Sequence, residues 1–372
     1  MSTIEQSPPA PGGGTPPPAP GAAPARRRGG AAGDVLWTVV PYAASVLLAF
    51  VVGGVVIAAM GYSATDALRA VLTSSFESRF GMVETLHKWV PIVLCAYAFA
   101  LPLATGKFNI GAEGQLLLGA TGGAAIGITF SDLPAILLLP ATLVAGVLAG
   151  ALWAGIAAVL LVRFRVNEVL STVLLNFVSF KVIDWVATKV WPDAGAGHPA
   201  TTPVGEGARL PLIGEAPGLH SGVLLVVALA IFIAVGMRFT PTGFEMRAVG
   251  ANPRASLVNG VRTTRLAGAG LVLGGAAAGL AGAIDVAGLH GRMLEGMQSN
   301  FLILGIIVGL MARGSMLALP FVAFGIAVLE FGAGTMQLVA AVPVEMVLVI
   351  EALILLFLLL SDLARNRLRG AA

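Results

Sequence analysis

The sequence predicts an all-α, polytopic membrane bundle of about ten transmembrane segments, some of them interrupted, with both termini in the cytoplasm. Three observations predict it. The chain is 57% hydrophobic and only 11% charged, with a mean hydropathy of +0.91, whereas soluble domains carry about 25% charged residues. Apolar runs of about 20 residues, the length that crosses ~30 Å of hydrocarbon, recur along it. The basic residues gather on alternate connections.

The elements follow in order. Residues 1–33 are a Pro/Gly/Ala tail with little to bury, expected to be disordered. Its Arg26-Arg27-Arg28 cluster precedes the first apolar run and favours a cytoplasmic N-terminus. A transmembrane domain is expected over 34–364, followed by a short basic tail over 365–372. The apolar spans are drawn at 36–60, 89–106, 109–130, 134–163, 168–190, 221–238, 264–287, 300–312, 317–339 and 344–362. Threading them from a cytoplasmic start puts 15 of the 22 Lys and Arg residues inside, as the positive-inside rule requires.

Three connections are long. Residues 61–88 have the spacing of one or two short interfacial helices, and 191–220 scatter Pro and Gly on the outside. Residues 239–263 form a basic inside segment. The pairs Gly119/Gly123, Gly146/Gly150 and Gly275/Gly279 have the small-xxx-small spacing that permits close helix contact in lipid.

Four stretches carry polar groups that the hydrophobic plan does not need. In "GKFNIGAEGQLLLGA", Gly106–Ala120, Asn109 and Glu113 share a helix face and Gln115 follows. A discontinuous helix beside a translocation path and a capped helix with interhelical bonds both fit. In "RVNEVLSTVLLNFV", Glu168 suits a helix N-terminus, while Asn176 lies deep in an apolar run. In "TGFEMRAVGANPRASLVNGVRTTRL", Asn252-Pro253 should start a short helix through Ala255 and Val258. A plain positive-inside loop would account for its arginines but not for that helix start. In the fourth, Gly282–Ser315, His290 lies beside Asp285, Arg292 and Glu295 near the outer surface, where a structural histidine and a solute contact are both open.

Catalytic and metal signatures are missing. No Gly-x-x-x-x-Gly-Lys-[Ser/Thr] loop occurs, since Gly106-Lys107 is followed by Phe108. No Cys/His cluster has metal-ligand spacing, and the single Cys95 reads as a small buried hydrophobe. Neither cofactor nor enzymatic activity is expected, and the pI near 9.3 reflects cytoplasmic loops rather than nucleic acid.

Three of these motifs in this order, "FNIGAEGQ", "NEVLSTVLLNFV" and "RAVGANPRAS" followed by Gly260, resemble the permease subunits of bacterial ABC importers for ribose, other simple sugars, nucleosides and branched-chain amino acids. The resemblance covers about 36–364, and "GAIDVAGLHGRM" looks most like the nucleoside and simple-sugar branch that works with lipoprotein binding proteins. It implies a multi-pass subunit of the inner (plasma) membrane, embedded in lipid. Its partners would be a second permease, usually a paralogue, separate ATPase subunits, and an extracellular solute-binding lipoprotein. It also implies that Arg247, Gly250, Asn252, Pro253, Ala255 and Gly260 form the segment that couples to the ATPase. Asn109, Glu113, Gln115, Asn176 and His290 are the candidate solute-path residues. The sequence departs from the family at Gln298-Ser299-Asn300-Phe301, where a Gly/Phe-rich stretch is usual. The alternatives are an ion-gradient-driven secondary transporter, a branched-chain amino acid permease and a membrane enzyme. The first would show repeats and mid-depth charges, and the acids Asp184, Asp285, Glu330, Glu345 and Glu351 read mostly as span-end residues.

Overall fold

A computed structural model describes residues 31–215 and 217–370. The N-terminal tail through Gly30, including Arg26–Arg28, lies outside the described residues, as do Ala371 and Ala372. The chain divides between Ala44 and Ser45, and the larger unit runs from Ser45 onward.

Each of the ten apolar stretches holds a helix. They are α1 (Ala31–Ala59), α3 (Arg79–Leu103), α4 (Ala112–Thr129), α5 (Ala135–Phe164), α6 (Glu168–Trp185), α7 (Gly222–Phe239), α10 (Thr263–Ile284), α11 (Phe301–Met311), α12 (Leu319–Ala340) and α13 (Glu345–Gly370). Three shorter helices lie in the connections: α2 (Ala64–Glu77), α8 (Pro241–Ala251) and α9 (Pro253–Val258). α6 and α10 each run on into a π-helical turn, Val186–Val190 and Asp285–His290. By length and composition, six helices among the described residues can cross a membrane: α3, α5, α6 with its π turn, α7, α10 with its π turn, and α12. The architecture is a multi-pass helical membrane bundle.

α10 is the central helix, packed on α3, α4 and α5. Almost every residue from Gly274 to Ala287 is buried. Close approach is the reason for its glycines. A Cβ on Gly119 would lie 2.2 Å from the Gly279 carbonyl oxygen, and one on Gly150 would lie 2.4 Å from that of Gly275. The three small-residue pairs seen in the sequence therefore meet one another across α4, α5 and α10, where dispersion contacts replace a hydrophobic driving force.

The connection over 61–88 carries the short helix α2. It buries Ala67, Val71, Ser74 and Ser75 and packs on α12, where a Cβ on Gly332 would meet the Val71 carbonyl at 2.3 Å. α3 then begins at Arg79, ten residues before the expected span. Its polar start is satisfied locally. Ser78 Oγ caps the Gly81 N–H at 2.9 Å, and Thr85 Oγ1 donates to the Gly81 carbonyl and is hydrogen-bonded to Ser75 Oγ. Hydropathy alone starts the span only where these polar side chains end.

The connection between α6 and α7 carries the two-residue strands β1 (Leu212–Ile213) and β2 (Leu219–His220), paired antiparallel. It is tied to the bundle by the Arg292–Asp193 ion pair and by Arg79 Nη2 donating to the Glu215 carbonyl at 2.9 Å. His220 is buried in a stack on His87 of α3, ring centroids 4.6 Å apart.

Candidate functional site

The three motif segments converge on the break between α3 and α4. α3 ends after Pro102, and Gly106 turns the chain with φ +74°, a conformation that costs an L-residue strain. The chain stays irregular until α4 begins at Ala112.

Helix starts leave backbone N–H groups without intrahelical partners. Here amide and hydroxyl side chains supply them. Asn109 Oδ1 accepts from the Gly111 N–H at 3.0 Å, Asn176 Oδ1 accepts from the Gly114 N–H at 2.9 Å, and Thr172 Oγ1 accepts from the Ile110 N–H at 3.2 Å. Asn176 Nδ2 also donates to the Ile110 carbonyl at 2.8 Å, so one carboxamide from α6 grips the break at two points. Gly111 and Gly114 leave room for it: a Cβ on Gly114 would fall 2.8 Å from Asn176 Oδ1.

Asn109 is fully buried and has no hydrogen-bonding capacity left. Its Nδ2 donates to the Ala98 carbonyl and to Gln115 Oε1, and its Oδ1 accepts from both Gly111 and Gln115 Nε2. A carboxamide has two donors and one acceptor oxygen, and all are engaged. The carboxamides of Asn109, Gln115 and Asn176 thus hold the helix break together. The sequence shows polar groups at membrane depth but cannot show whether their partners belong to the chain. Glu113 is half-buried, and its carboxylate accepts from the backbone of Leu302 at the start of α11. His290 closes the π turn after α10, half-buried, outside this amide network.

A link that sequence reading missed completes the joint. Lys107 Nζ lies 3.4 Å from Glu168 Oε2, joining the break to the first turn of α6. Asn167 caps that helix at the Val169 and Leu170 N–H groups. Sixty-one residues separate Lys107 from Glu168, so nothing local in the sequence pairs them.

The third motif lies directly against the break. A Cβ on Gly250 would sit 2.4 Å from the Ala104 carbonyl oxygen and 3.3 Å from the Gly106 nitrogen. α8 is capped by Thr240 Oγ1 at the Gly243 N–H, and α9 by Asn252 Oδ1 at the Ala255 N–H. The expected helix start at Asn252-Pro253 is α9. Gly260, φ +81°, ends it, with the Val261 N–H donating to the Ser256 carbonyl. Of α9, only Ser256 is buried; Pro253, Ala255, Leu257 and Val258 are exposed, Val258 at 88%. Arg247 is exposed on α8 and, with Arg238, borders a cavity of about 540 Å³ beside Gly250.

A multi-pass bundle with a glycine-packed centre, a broken helix held by buried amides, and a short helical pair projecting beneath that break defines a membrane transport subunit. The comparisons make it specific. The chain belongs to the family of branched-chain amino acid transport system permease components, whose pattern matches residues 81–359. It is 34% identical over 338 residues to the glucose ABC transporter permease protein TsgB13 of Haloferax volcanii, covering 88% of this chain and 89% of that one. It is 30% identical over 319 residues to the guanosine ABC transporter permease protein NupP of Bacillus subtilis, covering 84% and 90%. The nucleoside ABC transporter permease protein NupB of Lactococcus lactis is 26% identical over 323 residues. The chain is a membrane-spanning ABC permease subunit, and its family is one of transport subunits rather than enzymes.

Proposed function

We propose that the chain forms half of the solute pathway of an importer for a simple sugar or a nucleoside. The relatives named for glucose, guanosine and nucleosides support this solute class over branched-chain amino acids. The partners are ABC ATPase subunits, a second permease that is a paralogue, and an extracellular solute-binding lipoprotein. All ten apolar helices cross the plasma membrane, and both termini are cytoplasmic, in keeping with the 15-of-22 basic asymmetry. The α8–α9 pair then faces the cytoplasm and docks on the ATPase.

One observation carries this reading: Gly250 is wedged against Ala104 and Gly106 at the helix break, while the neighbouring α9 presents bare apolar side chains outward. A partner that pushes on α9 therefore pushes on the break. The experiment is reconstitution of the subunit with its neighbouring gene products and measurement of ATP-dependent uptake of radiolabelled guanosine and glucose. Uptake of one of them that requires ATP hydrolysis supports the reading. Uptake driven by an ion gradient without ATP sinks it.

A further inference from the structure

A cavity of about 680 Å³ opens between α3, the start of α11, α12 and α13. Its walls combine Glu84 and Lys88 of α3, Asn300 at the head of α11, Glu330 of α12 and Glu345 of α13. Phe80 and Phe331 also face it, their rings edge-on with centroids 6.4 Å apart.

Its position is anomalous for a lipid-facing surface. α3 and α12 are both apolar enough to span a membrane. Yet Glu330 lies eleven residues into α12, about 16 Å along its axis. Charged groups at such depth face a wet cavity or a polar partner, because hydrocarbon offers them nothing. Two other cavities, of about 290 and 400 Å³, are lined almost wholly by aliphatic and aromatic side chains and show what an apolar groove looks like in this bundle.

A further carboxyl is buried on the helix that carries Glu345. Glu351, two turns deeper on α13 than Glu345, is fully buried, and neither carboxylate oxygen has a hydrogen-bond partner among the described residues. It lies within electrostatic reach of Glu330, which lines the cavity. A buried carboxyl without a partner is costly unless something satisfies it.

From this lining we infer that the cavity receives the solute, a neutral polyhydroxylated ring such as a sugar or the ribose of a nucleoside. Carboxylates accept from hydroxyl groups, Lys88 and Asn300 donate to hydroxyl and ring oxygens, and the Phe80 and Phe331 rings cover apolar C–H faces. The assignment rests on the solute class proposed above.

The test uses the assembled complex with its ATPases, partner permease and binding protein in proteoliposomes. Gly334 borders the cavity, and a Cβ there meets nothing within 4 Å, so Gly334→Cys is accommodated without repacking. The chain's own Cys95 is fully buried, which leaves the new thiol as its reactive one. After assembly, the complex is treated with a bulky maleimide, with unlabelled guanosine or glucose present or absent, and uptake of the radiolabelled solute is measured. The expected results are a loss of uptake of at least tenfold in the labelled variant but not in the labelled wild type, and slower labelling when solute and ATP are present. Glu330→Gln should raise the KM for uptake at least tenfold. Wild-type uptake by a fully labelled Gly334→Cys complex overturns the cavity and leaves the solute class standing. So does a thiol that the assembled complex shields from maleimide. If the wild-type complex takes up neither solute, the solute class fails and the cavity assignment falls with it.

Discussion

Gly250 of α8 stands so close to Ala104 at the end of α3 that a single added methyl would lie 2.4 Å from the Ala104 carbonyl oxygen. The obstacle is backbone on both sides, so it cannot rotate away as a side chain would. Gly250→Ala should therefore separate α8 from the break and destabilise the subunit by about 1–3 kcal/mol, the usual cost of overpacking. Gly236→Ala is the control, because nothing lies within 4 Å of its added Cβ. Thermal unfolding in detergent should place Gly250→Ala well below wild type and Gly236→Ala level with it. Equal melting points for the two variants would show that the contact is loose.

Asn176 makes the opposite kind of contact, one in which polarity rather than size matters. Asn176→Leu would leave the buried Gly114 N–H and the half-buried Ile110 carbonyl without the partners they have here. Each orphan costs about 1–3 kcal/mol. Uptake should fall together with thermal stability, because the helix break loses its clamp. Uptake lost at unchanged stability would instead assign Asn176 to solute contact.

These two residues show where the sequence was readable. Asn252-Pro253 starts α9 because capping chemistry is local, and Asn167 caps α6 for the same reason. The apolar helices were visible because ~30 Å of hydrocarbon sets a length. The bonding partners were not visible. Glycine-rich segments apolar on every side have no periodicity from which to choose a face, so the α4–α5–α10 packing was hidden in plain small-residue pairs. Buried amides look alike in sequence whether they touch solute or backbone. Glu330 and Glu351 read as span-end acids, but the structure puts Glu330 midway along α12 and buries Glu351 completely.

Topology can be read with single cysteines against a buried Cys95. Gly205 packs on Ser131, its added Cβ only 2.9 Å from the Ser131 Cα, so both sites belong to one end of the bundle. Cysteines at the exposed Ser131 and Glu206 positions should label from outside, and one at the exposed Arg254 from inside. Label reaching Arg254→Cys only from outside would invert the assigned orientation.

Acid should loosen the connection between α6 and α7. His220 is buried against His87, with Gly222, Gly288, Ile284 and Leu210 around it. The His220 N–H donates to His87 Nε2 at 3.4 Å, which requires that nitrogen unprotonated. The charged groups facing the pair come from α3: Glu84 lies 3.5 Å from His87 Nδ1, and His87 itself faces His220. Burial first, and the neighbouring His87 second, lower the His220 pKa from 6.5 to about 4. The unfolded chain therefore binds a proton before the folded one does. Stability is complete above the unfolded pKa and declines as pH falls towards the folded value, by on the order of 3 kcal/mol in total. The melting temperature should drop between pH 7 and pH 4.5 in wild type and drop less in His220→Phe, or in His220→Gln should the larger ring not fit. Identical pH slopes in wild type and variant would remove His220 from the account.

The last prediction separates a docking helix from a basic loop. Ala255 is exposed in the first turn of α9, and its N–H is bonded to the Asn252 cap. An acidic side chain in a first turn is favoured by the helix dipole, so Ala255→Glu should leave α9 and the bundle intact. At a close interface the same change adds bulk and buries an unpaired charge, costing several kcal/mol by order of magnitude. The variant should therefore insert, melt at the wild-type temperature and pair with its partner permease, yet fail to retain the ATPase or to stimulate it with solute. A segment that serves only to place positive charge in the cytoplasm would ignore the substitution, because every arginine is still present. Co-purification of the ATPase with Ala255→Glu at wild-type stoichiometry, with normal solute-stimulated hydrolysis, decides for the basic loop.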